Sequence, residues 1–413
     1  MSAKPVTILR GLNRAALDAY LGHYGPGSID APARYDALAR FEELPARMSL
    51  RGGRGWKHDL SKLDFSDVPA FAAEAVEISL ESLSVEARHK GVTIDHFSHA
   101  RDRHRVAFER AFGKAVDTRD DKFASLALAF ANQGVFIDVP AGVTLNEPLL
   151  IGYEAREEAL FPYTLVSLGD AASATVIERI AAADGAPLIC GIVELVVGDN
   201  ATLAYAVDQR ASESTRLILT RRARLGKDAK LAIACAELGG MHAVSRFRAV
   251  EAAAGGRVET VAFFFSDGSQ HVDIETETIH AAPNTQSETI VRSAGTGHGQ
   301  GRYFGNIKIL ADAHGADASL RDDALLLSAG AHIDSVPALE IAANDVKAFH
   351  GATVGAISED ELFYAESRGI ARADAERMIA LGFFEPAISR FPTDALRAEL
   401  RSALGLKLRS RPV

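Results

Sequence analysis

From about residue 130 to residue 357 the chain is written in short apolar, β-branched runs, each cut off by a cluster of Gly, Asn, Asp or Pro. The clusters fall at Gly169-Asp170, Gly198-Asp199-Asn200, Gly226-Lys227-Asp228, Gly255-Gly256, Pro283-Asn284 and Gly315-Ala316-Asp317, at intervals of 29, 28, 29, 28 and 32 residues. A fixed spacing of that size marks a solenoid, whereas a propeller needs about 40 to 50 residues per blade. Each interval holds two strand-like halves, such as Ala201 to Val207 followed by Thr215 to Thr220, so one turn carries two strands. Near the end the half-repeats show directly, because Gly315, Gly330 and Asp345 lie 15 residues apart. Alternation in Val258-Glu259-Thr260-Val261 and in His271 to Ile279 fits strands with one buried face. The expectation is a mainly β chain: a right-handed parallel β-helix with two strands per turn over 126–357, flanked by helical regions.

The flanks read differently. Residues 1–125 are expected to be mostly helical, on the spacing of apolar positions in Ala15 to Tyr20, Ala70 to Val76 and Ser98 to Val116. Residues 358–413 return to helix, with Ser358 and Glu361 spaced as a capping box. A second helix follows Gly369, and its Ala375, Met378, Ile379, Gly382 and Phe383 form a stripe for a core or for a partner. A β-helix leaves unpaired backbone at both ends, and such edges are covered or used for association. The N-terminal helical region is expected to cover one end, while residues 340–357 leave the other for a second β-helix.

Composition narrows the setting. With 413 residues, 47% hydrophobic and 24% charged, the chain has ample material for a core. A net charge of -10 and a pI near 5.7 supply no footprint for nucleic acid. Two cysteines, Cys190 and Cys235, argue against a disulfide framework and fit a reducing, cytoplasmic compartment. No signal-peptide pattern or apolar run of about 20 residues points to export or to a membrane.

Few residues carry chemistry. The sequence has no G-x-S-x-G, H-E-x-x-H, C-x-x-C or G-x-x-x-x-G-K-[ST], which favours a scaffold over an enzyme and leaves the chain without a nucleotide site of its own. Gly295 to Gly301 is glycine-rich, but Tyr303 to Leu310 reads as strand where a phosphate loop needs a helix. Cys190 and Cys235 stand about one and a half turns apart, on opposite sheets, among apolar neighbours that suit buried thiols. His298, His314, His332 and His350 recur at intervals of 16, 18 and 18 residues. The first three read as exposed turn or strand-edge positions, with His332 in reserve as an interface residue.

The C-terminal third carries a resemblance. Val336-Pro337-Ala338-Leu339-Glu340-Ile341, Asn344-Asp345-Val346-Lys347, His350-Gly351-Ala352-Thr353-Val354-Gly355, Leu362-Phe363-Tyr364 and Ser367-Arg368-Gly369-Ile370 together resemble the signature of the SufB/SufD family, scaffold subunits of the SUF system of iron-sulfur cluster assembly. Leu325 to Ser328, with the order of these segments, is closer to the D subunit than to the B subunit. Gly52 to Asp59, which holds the single Trp56, resembles a further family element; Trp56 itself reads as a packing anchor.

The resemblance implies a dimer with a SufB-like subunit through the β-helix ends, a SufC-like ATPase docked on the C-terminal helices, and an iron-sulfur cluster or iron held transiently between subunits. It implies docking residues Leu362, Phe363, Tyr364, Ser367, Arg368, Gly369, Met378 and Phe383. It places His350 beside a cysteine of the B subunit, as an iron contact or a proton-transfer group, with Lys347 and His332 as further interface residues. Imidazole suits either role near neutral pH. Where many relatives read Lys-Cys-Ser-His, this chain reads Lys347-Ala348-Phe349-His350, so it lacks the thiolate that iron-sulfur clusters favour. Two alternatives stay open: a homodimeric β-helix platform without a metal role, and, by fold analogy only, a polysaccharide-acting β-helix enzyme. The repeats show no column of carboxylates for the latter.

Overall fold

The computed structural model describes residues 11–44, 68, 78–79, 85–119, 121–131, 133–156 and 159–410. Trp56 and the segment Ala70 to Val76 lie outside the described residues. From Gln133 to Ala356 the strands alternate between two sheets of nine strands each, so that every coil places one strand in each sheet. Within this span all pairing is parallel, and Arg257 to Ser266, for example, lies between Lys230 to Glu237 on one side and Gln286 to Gly295 on the other. This is the expected parallel β-solenoid.

The turn clusters stack into one column along an edge of the solenoid. Gly142, Ala171, Asn200, Asp228, Gly255, Asn284 and Gly315 each have positive φ and occupy successive corners. Each corner binds the next through the backbone: Ala171 N donates to Asp199 O at 2.7 Å, Asn200 N to Lys227 O at 2.7 Å, Asn284 N to His314 O at 2.8 Å and Gly315 N to Asp345 O at 2.7 Å. A left-handed corner favours Gly, Asn and Asp, which is why those residues punctuate the sequence at one period.

Strand parity divides the side chains. Leu203, Leu231, Val258, Val291 and Leu320 belong to the core inside the coil. Phe263, Phe265, Leu325 and Leu327, of opposite parity, pack with Phe384, Ile388, Leu400 and Leu404 of the C-terminal helices. On the other sheet Cys190, Ile192 and Ile218 face outward onto Phe123, Leu126 and Phe130 of the helix Lys122–Phe130. Asp121 pins that helix: its carboxylate accepts from Phe123 N and Ala124 N at the helix start and meets Arg246 at 2.8 Å and Arg222 at 3.2 Å on the sheet. Clothed outside and packed inside, strands such as Leu188–Val197 are buried on both faces, where one buried face was expected.

Short antiparallel strands close one end, Thr93–His96 against Gln133–Val139 and Ile78–Ser79 against Leu149–Ala155. The N-terminal region thus covers an end, as expected, and also lies along a sheet face.

Two helical expectations need correction. Ser358 is the N-cap of the helix Glu359–Ser367, yet its side chain makes no cap hydrogen bond; Glu359, Asp360 and Glu361 instead place negative charge against the positive end of the helix dipole. In the helix Arg372–Ile388 the buried positions are Ala375, Ala380, Phe384, Ala387 and Ile388, whereas Met378 is 51% exposed. The helix serves two surfaces. Ala375 packs with Leu362 and Ala365 of the preceding helix, and the later turns rotate onto the sheet.

Candidate functional site

The end opposite the antiparallel strands is open. Among the described residues the strand His332–Ile341 pairs only with Gln300–Ile309, and Lys347–Ala356 only with Asp317–Leu326, so each sheet ends there on a strand with one unpaired edge. Every residue of Lys347–Ala356 except Ala348 is exposed, Phe349 at 64%.

Register fixes where the candidate residues point. His350 lies beside Leu320, Ala348 beside Ala318 and Val354 beside Ala324, and all three neighbours belong to the inner core. His350 therefore shares the lumen side of the last strand with Ala348, which packs partly against that core. Phe349 and Thr353 take the outer side, where the Thr353 hydroxyl donates to Asp323 Oδ1 at 2.5 Å. Lys347 opens the strand beside Asp317 and is exposed. His332 stands exposed on the outer side of the other sheet, its Nε2 3.0 Å from Asp334 Oδ1. His350 and His332 thus lie on different sheets and different faces and are not brought together. His298 and His314 are exposed in turns, and Gly295 to Gly301 joins two strands.

Of the helical set, Phe363 and Tyr364 are 72% and 62% exposed, while Leu362 is buried and Phe383 is half-buried under the Arg292 guanidinium. Arg368 lies over the Tyr364 ring and donates to its hydroxyl at 3.2 Å. Ser367 Oγ donates to Tyr364 O at 2.7 Å, and Gly369, with φ of 82°, ends the helix in the left-handed conformation.

Both thiols are buried and on opposite sheets. Burial pushes the Cys190 thiol well up and Cys235 up to about 12, so neither is a ready thiolate. Among the described residues no group of three or more His, Cys, Asp or Glu is arranged to hold a metal ion.

Inside the coil, sequence reasoning missed two polar features. Arg221 and Glu237 are fully buried and meet at 2.8 Å; Ser245 donates to the same Glu237 oxygen at 2.8 Å. Nearby Glu178 accepts from Thr164 at 2.7 Å, and burial lifts its carboxyl above the ordinary range. The second feature is Asp322, fully buried one rung below the open end, on the lumen side between Leu320 and Ala324. Burial lifts its carboxyl to about 6, against the pull of Ser335 and Arg292.

The comparisons with known proteins identify the family. Residues 151–383, more than half of the chain, match the model described as "SUF system FeS cluster assembly, SufBD core domain", and residues 67–151 match "SufBD protein N-terminal region". The chain belongs to the SufBD family. Among similar proteins are those named "Iron-sulfur cluster assembly SufBD family protein" from Staphylococcus epidermidis, Staphylococcus haemolyticus and Staphylococcus aureus. Each is 27% identical over 322 residues, covering 77% of this chain and 69% of the relative.

As a SufBD family protein, the chain is associated with iron-sulfur cluster assembly, and its core match takes in both end strands and His350. Among the described residues no helix is long and apolar enough to cross a membrane.

Proposed function

We propose that this SufBD protein is a SufD-type scaffold subunit, working in the cytoplasm, that pairs end to end with a SufB-like subunit and docks a SufC-like ATPase on its C-terminal helices. The observation that carries this reading is the open last strand Lys347–Ala356, with an unpaired backbone edge and an exposed His350 on its lumen side. A second solenoid can continue both sheets there, satisfying the free backbone groups and covering Phe349. The imidazole then stands at the seam, where it contacts iron or a nascent cluster, or moves a proton. Lys347 and His332 flank that seam. Sulfur enters from the partner, because Ala348 offers no thiolate and both cysteines are buried.

In this reading ATP hydrolysis belongs to the ATPase partner, with Phe363, Tyr364, Arg368 and Met378 as its exposed contacts. The chain divides into an N-terminal part (1–125), a solenoid (126–357) and a C-terminal docking part (358–413). Copurification with SufB and SufC homologues tests the assembly, and cluster formation by the complex carrying His350→Ala tests the seam. Undiminished cluster formation in that variant would remove the role of His350 and leave the homodimeric interaction platform as the better account.

A further inference from the structure

Away from the open end, three side chains inside the coil stand in an order that the proposed function does not use. His280 closes the strand His271–His280, Ser287 lies at the start of Gln286–Gly295, and Glu251 closes His242–Glu251, in register with His280 one coil below. The imidazole Nε2 lies 2.9 Å from Ser287 Oγ, and Nδ1 lies 2.7 Å from Glu251 Oε2 and 2.8 Å from Thr285 Oγ1. His280 and Glu251 have no accessible surface, whereas Ser287 keeps 6%. Ser287 sits just inside a corner whose Pro283, Asn284 and Gln286 are exposed.

Thr285 decides the tautomer. Its hydroxyl has one hydrogen, which it donates to Ala282 O at 3.1 Å, so it meets Nδ1 with a lone pair. Nδ1 therefore carries the ring proton, shared between Thr285 and Glu251, and Nε2 accepts from the Ser287 hydroxyl. Burial lifts the Glu251 carboxyl, and the imidazole beside it opposes that lift. A carboxylate in this place holds the ring and stabilises the imidazolium that forms when Nε2 takes a proton. Acid, ring and hydroxyl in this order are the parts of a base-activated nucleophile.

We propose that Ser287 is a base-activated serine that accepts a small acyl group from an ester or thioester. Its Oγ bonds to the carbonyl carbon as its proton passes to His280 Nε2. The bond from that carbon to the leaving oxygen or sulfur breaks, and the leaving group takes the proton from Nε2. The products are an O-acyl serine and a free alcohol or thiol, with nothing oxidised or reduced. Val258 and Ala318, beside Ser287 on the two adjacent strands, belong to the packed core, which limits the acyl group to a few atoms. The site works independently of the seam and of any partner there.

The test treats the full chain with p-nitrophenyl acetate near neutral pH, following release of p-nitrophenolate and mapping the acetyl group by mass spectrometry, for wild type, Ser287→Ala, His280→Gln and Glu251→Gln. The expected result is a burst of about one equivalent on the peptide holding Ser287, lost in Ser287→Ala and slowed about a hundredfold in His280→Gln. The wild-type rate rises with pH through one deprotonation that His280→Gln lacks. An unacetylated Ser287 in wild type overturns the proposal, and so does a rate in His280→Gln within about threefold of wild type. Should His280→Gln fail to fold, Glu251→Gln keeps the ring and carries the comparison: a slowing of about tenfold or more is expected, and an unchanged rate overturns the proposal.

Discussion

Asp322→Asn is expected to strengthen the open end of the isolated chain at neutral pH and to leave it unchanged in mild acid. The carboxyl sits at about 6 in the folded chain against 3.8 in the ordinary range, and burial is the main cause. A carboxyl raised by folding gives its full stability below the unfolded value and loses it as pH climbs through the folded one, here between about 4 and about 6. Two pKa units correspond to ~3 kcal/mol, which the neutral amide does not forfeit. The amide keeps roughly the hydrogen-bonding needs of the protonated acid, so that cost cancels. Stability along a solenoid is nearly a nearest-neighbour property, and the effect should therefore appear locally. Amide hydrogen exchange in peptides covering 317–326 and 347–356, corrected for intrinsic rates, is the assay. The variant should be about a hundredfold better protected near pH 7.5 and within tenfold of wild type near pH 4. Poorer protection at neutral pH, or the same gap at both values, would refute the placement of a desolvated carboxylate in the lumen.

Two further substitutions probe the interior and the corner column. Arg221→Met should cost about 3–5 kcal/mol in urea unfolding, because it strands Glu237 in a fully buried site; adding Glu237→Gln should recover most of that loss. Ala171→Gly should raise the midpoint of thermal unfolding by removing a left-handed alanine (φ 56°) worth about 1 kcal/mol at an exposed corner, and an unchanged or lower midpoint would contradict the corner argument.

The corner column was legible because the same backbone conformation recurs once per turn and few residues tolerate it. Asn200, Asp228, Gly255, Asn284 and Gly315 are read from sequence for the reason they fold. Ala171 breaks the rule, and only Gly169-Asp170 beside it kept the period visible. The coverage of the sheets was not legible in the same way. Alternation in His271 to Ile279 suggested one wet face, but outward residues such as Phe263 and Cys190 meet helices from distant parts of the chain. The helix Arg372–Ile388 was misread for a related reason: it touches one neighbour early and another late, and a single stripe cannot represent both.

Asp322 shows where such reading stops. Arg321-Asp322-Asp323 places two acids in succession on one strand, and parity requires one to point inward. A slip of one residue exchanges them, so the choice depends on knowing that Leu320 and Ala324 line the lumen. That register also sets His350 on the inner side and Phe349 on the outer. The same register explains why the proposed function falls at the open end. Among the described residues every lower rung is paired on both sides and the sheet faces carry helices, which leaves the last strands as the place where free backbone, exposed apolar side chains and an imidazole coincide. Natural edge strands are commonly blunted by charge or proline. Lys347–Ala356 has one lysine at its start, no proline and two glycines, an edge suited to being continued by another solenoid.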